Sequence, residues 1–218
     1  MTCARPAGHR RSRRKYFSKA VRATEIETFC GGDLAENCYI AYLPERKDCV
    51  VIDPGFDPAP VLARIRQLGK TVAAVLLTHG HFDHVGGVER LQKQTDCPVY
   101  LHPAENTLPE YLTAGKLFYT HTYAQGDVCC AAGLELHILH TPGHTPGSVC
   151  LDCDGALFTG DTLFAGSCGR TDLEGGDGSA MEKSLRRLRE MTGDRQILPG
   201  HGENTSLRRE KLCNPYLR

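Results

Sequence analysis

The stretch THGHFDHVGG, residues 78–87, decides the reading of this chain, because it places His79, His81, Asp83 and His84 within six residues. It follows an apolar run, Val72 to Leu77, that reads as a strand, so the four side chains leave on the loop beyond the strand end. Such a loop can turn His79 and His81 toward one metal ion while Asp83 and His84 face a second. Imidazole with carboxylate suits zinc, iron or manganese. Three later positions would complete the two shells: His144 in HTPGHTPGS, Asp161 in LFTGDTLF and His201 in ILPGHGE. Each follows a predicted strand. A lone loop histidine is ordinary surface, but this many at strand ends, bent by Gly and Pro, point to a metal site.

Working outward, Asn37 to Leu43 and Cys49 to Asp53 read as two strands of a hairpin around the turn residues Pro44 to Asp48. Asp57 and Pro58 open a helix whose Val61, Leu62, Ile65 and Leu68 recur at helical spacing until Gly69 ends it. The pattern continues with a helix over Val85 to Gln94 and a strand over Cys97 to Leu101. Strands follow at Leu134 to His140, Ser148 to Leu151 and Ala156 to Thr159, then a helix at Met181 to Arg189 and a strand at Gln196 to Leu198. Several neighbouring strands are joined by turns too short for a crossover, which favours an α/β arrangement of paired sheets over one parallel wound sheet.

A chain of 218 residues, 40% hydrophobic and 24% charged, is expected to bury one core, over residues 23–218. Lysine plus arginine and aspartate plus glutamate number 26 each, so no global field attracts nucleic acid or an anionic membrane. The basic start, Met1 to Arg22, has no apolar stretch and reads as a disordered extension rather than a secretory signal. Deleting it is expected to leave metal content and turnover unchanged; a large loss of either in the truncated chain would contradict this. Eleven cysteines, an odd number, fit free thiols in a reducing cytoplasm. Cys150 and Cys153 fall on a predicted strand, where an offset of three points them to opposite faces, so they should share no metal. Cys129 and Cys130 are read as structural.

In order, HxHxDH, TPGHTPGS, GDTLF and PGHG resemble the metallo-β-lactamase superfamily, and the likeness runs from Glu25 to the end of the sequence. The resemblance implies an αββα sandwich with two metals at one edge of the sheets. It implies that His79, His81 and His144 hold one metal, that Asp83, His84 and His201 hold the other, and that Asp161 bridges them. Two such cations share a water and lower its pKa, giving a bridging hydroxide nucleophile; Asp161 would help hold the metals at their spacing and Asp83 would orient the hydroxide. β-Lactamases of the best-known kind replace the last His of the first motif and recruit a cysteine, whereas His84 and Asp161 stand here. Antibiotic hydrolysis is therefore disfavoured. The segment AGSCGRTDLEGGD, residues 165–177, is similar to single-domain glyoxalase II-like members, and through GRTD to persulfide dioxygenases.

The expected activity is hydrolysis of a small acyl thioester, with zinc the first choice of metal and iron or manganese the alternatives. An iron-dependent persulfide dioxygenase is the competitor, and a metal-bound interaction module without turnover a distant third. Tyr119 and His121, in the aromatic stretch between His102 and Asp127, are candidates for a substrate wall. Arg170 is a candidate carboxylate clamp, set against an ion pair with Asp172 or Asp177. His9, His102, His137 and His140 are not expected to be ligands.

Overall fold

The structure is a computed structural model, and it describes residues 23–113 and 115–218. The basic start therefore lies outside the described residues. Strands β1 (Glu25–Gly31), β2 (Glu36–Tyr42), β3 (Asp48–Ile52), β4 (Thr71–Leu76), β5 (Val99–Leu101) and β6 (His121–Thr122) form one sheet in that order. The second sheet draws on β7 (Val128–Ala131), β8 (Leu134–His140), β9 (Val149–Cys153) and β10 (Ala156–Gly160). Strands β11 (Leu163–Phe164) and β12 (Ser167–Cys168) make a small separate ribbon. With β13 (Gln196–Pro199) and β14 (Thr205–Ser206), the second sheet runs β14-β13-β10-β9-β8-β7. The helices are α1 (Ala59–Gln67), α2 (Phe82–Val85), α3 (Val88–Thr95), α4 (Gly178–Glu190) and α5 (Leu207–Cys213).

Three apolar clusters fall between four layers. Tyr39, Val50, Ile52 and Leu76 of the first sheet meet Leu136, Ile138, Leu151 and Phe158 of the second. Val61, Leu62 and Ile65 of α1, with Val88 and Leu91 of α3, cover the outer face of the first sheet. Met181, Leu185 and Leu188 of α4, with Leu207 of α5, cover the second. This is the αββα sandwich. Period-two alternation produces it: Tyr39 and Ala41 of β2 face the other sheet while Cys38, Ile40 and Tyr42 face the helices, so every position of β2 is buried. Each large aliphatic side chain buried this way contributes roughly 1.5–3 kcal/mol.

The same alternation separates Cys150, packed against the helical layer, from Cys153, packed between the sheets. All ten cysteines among the described residues are free thiols. No helix of the described residues is long and apolar enough to cross a membrane.

One expected helix, Val85 to Gln94, is two. Helix α2 ends at Val85 and α3 starts at Val88, with Gly86 and Gly87 between them. A Cβ on Gly86 would fall 2.6 Å from the Gly55 carbonyl oxygen, and one on Gly87 would fall 2.2 Å from that of Phe56. The break lets the loop after β3 pack against the ligand loop.

Parallel pairing decides where the site lies. Strand β3 pairs parallel with β4, and β10 parallel with β13, so each pair ends at a common edge. His79 follows β4, Asp161 follows β10, His201 follows β13, and His144 sits in the β8–β9 turn. The two sheets are tied there by Val149 N–H to the Thr78 carbonyl at 2.9 Å and Asn37 N–H to the Gly200 carbonyl at 2.8 Å.

Candidate metal centre

The predicted ligands converge at that edge. His79, His81 and His144 form one group of ligand atoms within 4.8 Å of one another, and Asp83, His84 and His201 form another. Asp161 lies between the two. Its Oδ1 is 3.4 Å from His84 Nε2, while Oδ2 is 3.4 Å from His144 Nε2 and 3.6 Å from His201 Nε2. Asp83 Oδ2 approaches His201 Nε2 at 3.1 Å.

Four of the imidazoles are anchored through Nδ1, which turns Nε2 inward. His144 donates to the Arg170 carbonyl at 2.8 Å and His201 to the Leu34 carbonyl at 3.0 Å. His84 donates to Asp53 Oδ2 at 2.9 Å. His79 donates to the Thr78 hydroxyl at 3.1 Å, which in turn donates to Asp53 Oδ2 at 2.6 Å. Donation at Nδ1 fixes the tautomer and leaves an Nε2 lone pair for a cation. His81 differs, with Nδ1 2.9 Å from His144 Nε2.

The donor set fits cations on a second count. His79 Nε2, His81 Nε2 and Asp161 Oδ1 are buried without a protein partner. Buried polar atoms are nearly always satisfied, so such orphans gathered at one point call for a bound ion. The electrostatics agree. Burial, then neighbouring imidazoles, pushes His79 well below the usual histidine range and His81 down to about 4, so both are neutral at pH 7. Burial would raise the Asp161 carboxyl, but His84, His144 and His201 overcome it and hold the group ionised.

Three further acids belong to this neighbourhood and were not foreseen. Asp53 also forms a candidate group with His79 and His84. Both its oxygens are already engaged, Oδ1 by Thr78 N–H at 2.7 Å and Oδ2 by the Thr78 hydroxyl and His84, so it acts as an anchor. Its backbone is left-handed, φ 49°, a strained geometry that Asp tolerates better than most residues. The signal was an acid at the end of an apolar strand, followed by Pro54 and Gly55. Replacing Asp53 with Ala is expected to lower metal affinity roughly 10–100-fold by freeing His84. Chelator competition measures this, and unchanged affinity would show that Asp53 orients nothing.

Glu36 is fully buried, 3.9 Å from His84 Nδ1, with neither carboxylate oxygen partnered. Burial pushes its carboxyl up to about 10, His84 opposing, so it is held neutral. A single acid in the apolar run of β2 carries no motif. Glu105, likewise buried, accepts from the Gly80 and Gly147 amides.

The substrate candidates are placed less tightly. The Arg170 guanidinium is exposed and bidentate to Asp172, at 2.7 and 2.8 Å, while its backbone carbonyl anchors His144. Asp177 instead caps α4 through Ser179 and Ala180 N–H. Tyr119 accepts from the Asn106 amide at 2.7 Å, and exposed His121 lies against Tyr100 and Thr120; none of these partners is a candidate ligand. Tyr123, from the same stretch, belongs to the inter-sheet core and donates to the Leu77 carbonyl. His102 and His140 stack at 4.2 Å, and neither they nor His137 enter a candidate metal group.

A fold of this kind, with histidine and aspartate ligands gathered at one edge of paired sheets, defines a class, and residues 31–201 match the family model of the metallo-β-lactamase superfamily. The chain belongs to that superfamily, whose members bind dinuclear metal sites and are generally hydrolytic. Among relatives, it is 32% identical to the hydroxyacylglutathione hydrolase GloC of Haemophilus influenzae, over 84% of this chain and 92% of that one. It is 35% identical to the probable metallo-hydrolase YqgX of Bacillus subtilis, over 85% and 94%.

Among solved structures, BLEG-1, a B3 metallo-β-lactamase, superposes with a TM-score of 0.82 at 30% identity, over 88% of this chain and 99% of that one. TTHA1623, solved in a di-iron-bound form, gives 0.77 at 37% identity, over 88% and 100%. ETHE1 from Myxococcus xanthus gives 0.77 at 26% identity, over 88% and 83%.

Proposed function

We propose that this chain is a dinuclear metal-dependent hydrolase of small acyl thioesters, acting on substrates like those of hydroxyacylglutathione hydrolases. The observation that carries the reading is the placement of Asp161, whose two oxygens face the two ligand groups from between them. His79, His81 and His144 would hold one cation; Asp83, His84 and His201 would hold the other. Two bound divalent cations, zinc by first choice and iron or manganese otherwise, supply Lewis acidity at the carbonyl and lower the pKa of water to roughly 7.

The protein's own contribution is orientation and charge. Asp161 would hold the two cations at their spacing, and Asp83 would orient the attacking water. The histidines anchored through Nδ1 are held fixed, so little reorganisation accompanies the reaction. A thiolate leaves without a proton, which suits a site whose catalytic carboxylates already face imidazoles. None of the described cysteines falls in a candidate ligand group, so the ligand set draws only on imidazole and carboxylate.

The competing reading, iron-dependent oxidation of a persulfide, is favoured by the His79, His144 and Asp161 face, which is a two-histidine, one-carboxylate arrangement. Elemental analysis under saturating zinc, iron or manganese is expected to give two metal ions per chain. A panel of S-acylglutathiones, other thioesters, lactones, glutathione persulfide with an oxygen electrode, and a β-lactam is expected to show thioester cleavage fastest. One metal per chain with dominant oxygen uptake would overturn the proposal in favour of the dioxygenase. Faster β-lactam cleavage would move it toward the BLEG-1 activity, and metal binding without turnover would leave an interaction module.

A further inference from the structure

We propose that Glu105 is a positioning residue that staples the two histidine-bearing loops, residues 78–87 and 141–148, and thereby sets the His79, His81 and His144 face. The inference rests on the metal assignment above. Glu105 lies in a 3₁₀ turn, Pro103–Thr107, that follows β5, and its side chain reaches fully into the interior. One carboxylate oxygen, Oε2, accepts from Gly80 N–H at 2.5 Å; the other, Oε1, accepts from Gly147 N–H at 2.6 Å. Gly80 stands between His79 and His81, and Gly147 lies three residues beyond His144 in the β8–β9 turn. A single carboxylate thus bonds the main chain of both loops, one oxygen to each.

The glycines are shaped to this group. A Cβ on Gly80 would fall 2.8 Å from Glu105 Oε2, and a Cβ on Gly147 would fall 2.6 Å from Oε1 and 2.8 Å from Cγ. Both contacts are closer than real Cβ atoms keep, so a methyl group added at either position would displace the carboxylate. The Thr145 hydroxyl, next to His144, bonds the Ser148 hydroxyl at 2.6 Å, which ties the same turn internally. Across the gap that the staple spans, His81 Nδ1 and His144 Nε2 stand 2.9 Å apart, and the His79 ring lies 4.9 Å from both rings.

A carboxylate is otherwise a poor choice for this place. Burial pushes Glu105 up to about 7, against the Thr145 hydroxyl and the two amides. An interior carboxylate is tolerated where it accepts charge-assisted bonds from fixed donors. Amide-to-oxygen bonds from two loops hold their separation more firmly than apolar packing would, because they are directional. Metal ligands need that firmness, since affinity falls when the supporting groups relax.

Glu105→Gln keeps the shape but sets an NH₂ group against one of the two amide donors. With cobalt as the probe, wild-type protein is expected to take up two ions with resolvable affinities. In Glu105→Gln one ion should bind roughly 10–100-fold more weakly with an altered visible spectrum, while the other is unchanged. Gly147→Ala, which displaces the carboxylate from the opposite side, should give the same selective weakening. The double variant should be no worse than the weaker single, as expected for two changes to one interaction.

A merely structural role would lower the melting temperature of the metal-free protein and leave both affinities and the spectrum alone; that result overturns the proposal. Equal weakening of both sites would also overturn it. Should Glu105→Gln fail to fold, Gly147→Ala alone decides between these outcomes. Wild-type protein that binds no second ion would instead overturn the dinuclear reading, so the two failures are distinguishable.

Discussion

Asp161→Asn protein is expected to fold normally, to lose one of its two metal ions, and to retain less than about one per cent of wild-type turnover. Asparagine has the shape of aspartate, so packing at the end of β10 is preserved, but the negative charge that faces three imidazoles is removed. Asp161 Oδ1 is buried and without a protein partner, and both oxygens lie 3.4–3.6 Å from inward-turned Nε2 atoms of His84, His144 and His201. Loss of an outer-shell partner costs about 10–100-fold, and a residue shared by both metal shells should exceed the upper figure. Circular dichroism, elemental analysis and thioester assays on one preparation measure all three quantities. Turnover within a few-fold of wild type, at full metal content, would show that Asp161 does not join the two shells.

Gly55→Ala should be the most damaging single-methyl addition at the site's edge. A Cβ there would sit 1.3 Å from the Asp83 carbonyl oxygen and 2.9 Å from His84 Cα. Those atoms are main chain and cannot rotate aside, so the loop carrying Asp83 and His84 must move. Overpacking typically costs about 1–3 kcal/mol, and this overlap belongs at or beyond the top of that range. Gly69→Ala is the internal comparison: φ is +64° but nothing lies within 4 Å of its Cβ, so only the left-handed backbone opposes it. That strain is roughly 1–2 kcal/mol. Urea unfolding of both variants should rank Gly55→Ala below Gly69→Ala, with metal content reduced only in the former. Equal stabilities with full metal content in both would refute the packing argument.

The candidate ligands were legible in the sequence because each sits in a short contiguous motif that follows an apolar strand. Helix α1 was legible for a similar reason: Val61, Leu62 and Ile65 repeat at the spacing of one buried face. The opposite facing of Cys150 and Cys153 followed from the two-residue period of a strand. These are local properties, set by backbone geometry within a few residues.

Other features depended on contacts that no local pattern records. Strands β6, β11, β12 and β14 are two residues long, too short to show a period. The break at Gly86 and Gly87 comes from the loop after β3 pressing on the ligand loop, not from helix propensity. Asp53, Glu36 and Glu105 stand outside the ligand motifs. Asp53 reaches Thr78 across 25 residues and His84 across 31; Glu105 reaches Gly80 across 25 and Gly147 across 42. The sequence by itself therefore determined which side chains can hold metal and the strand ends that carry them. Only the tertiary structure decided which groups fix those side chains in place, because a buried hydrogen bond is selected by proximity in space and leaves no periodic trace along the chain.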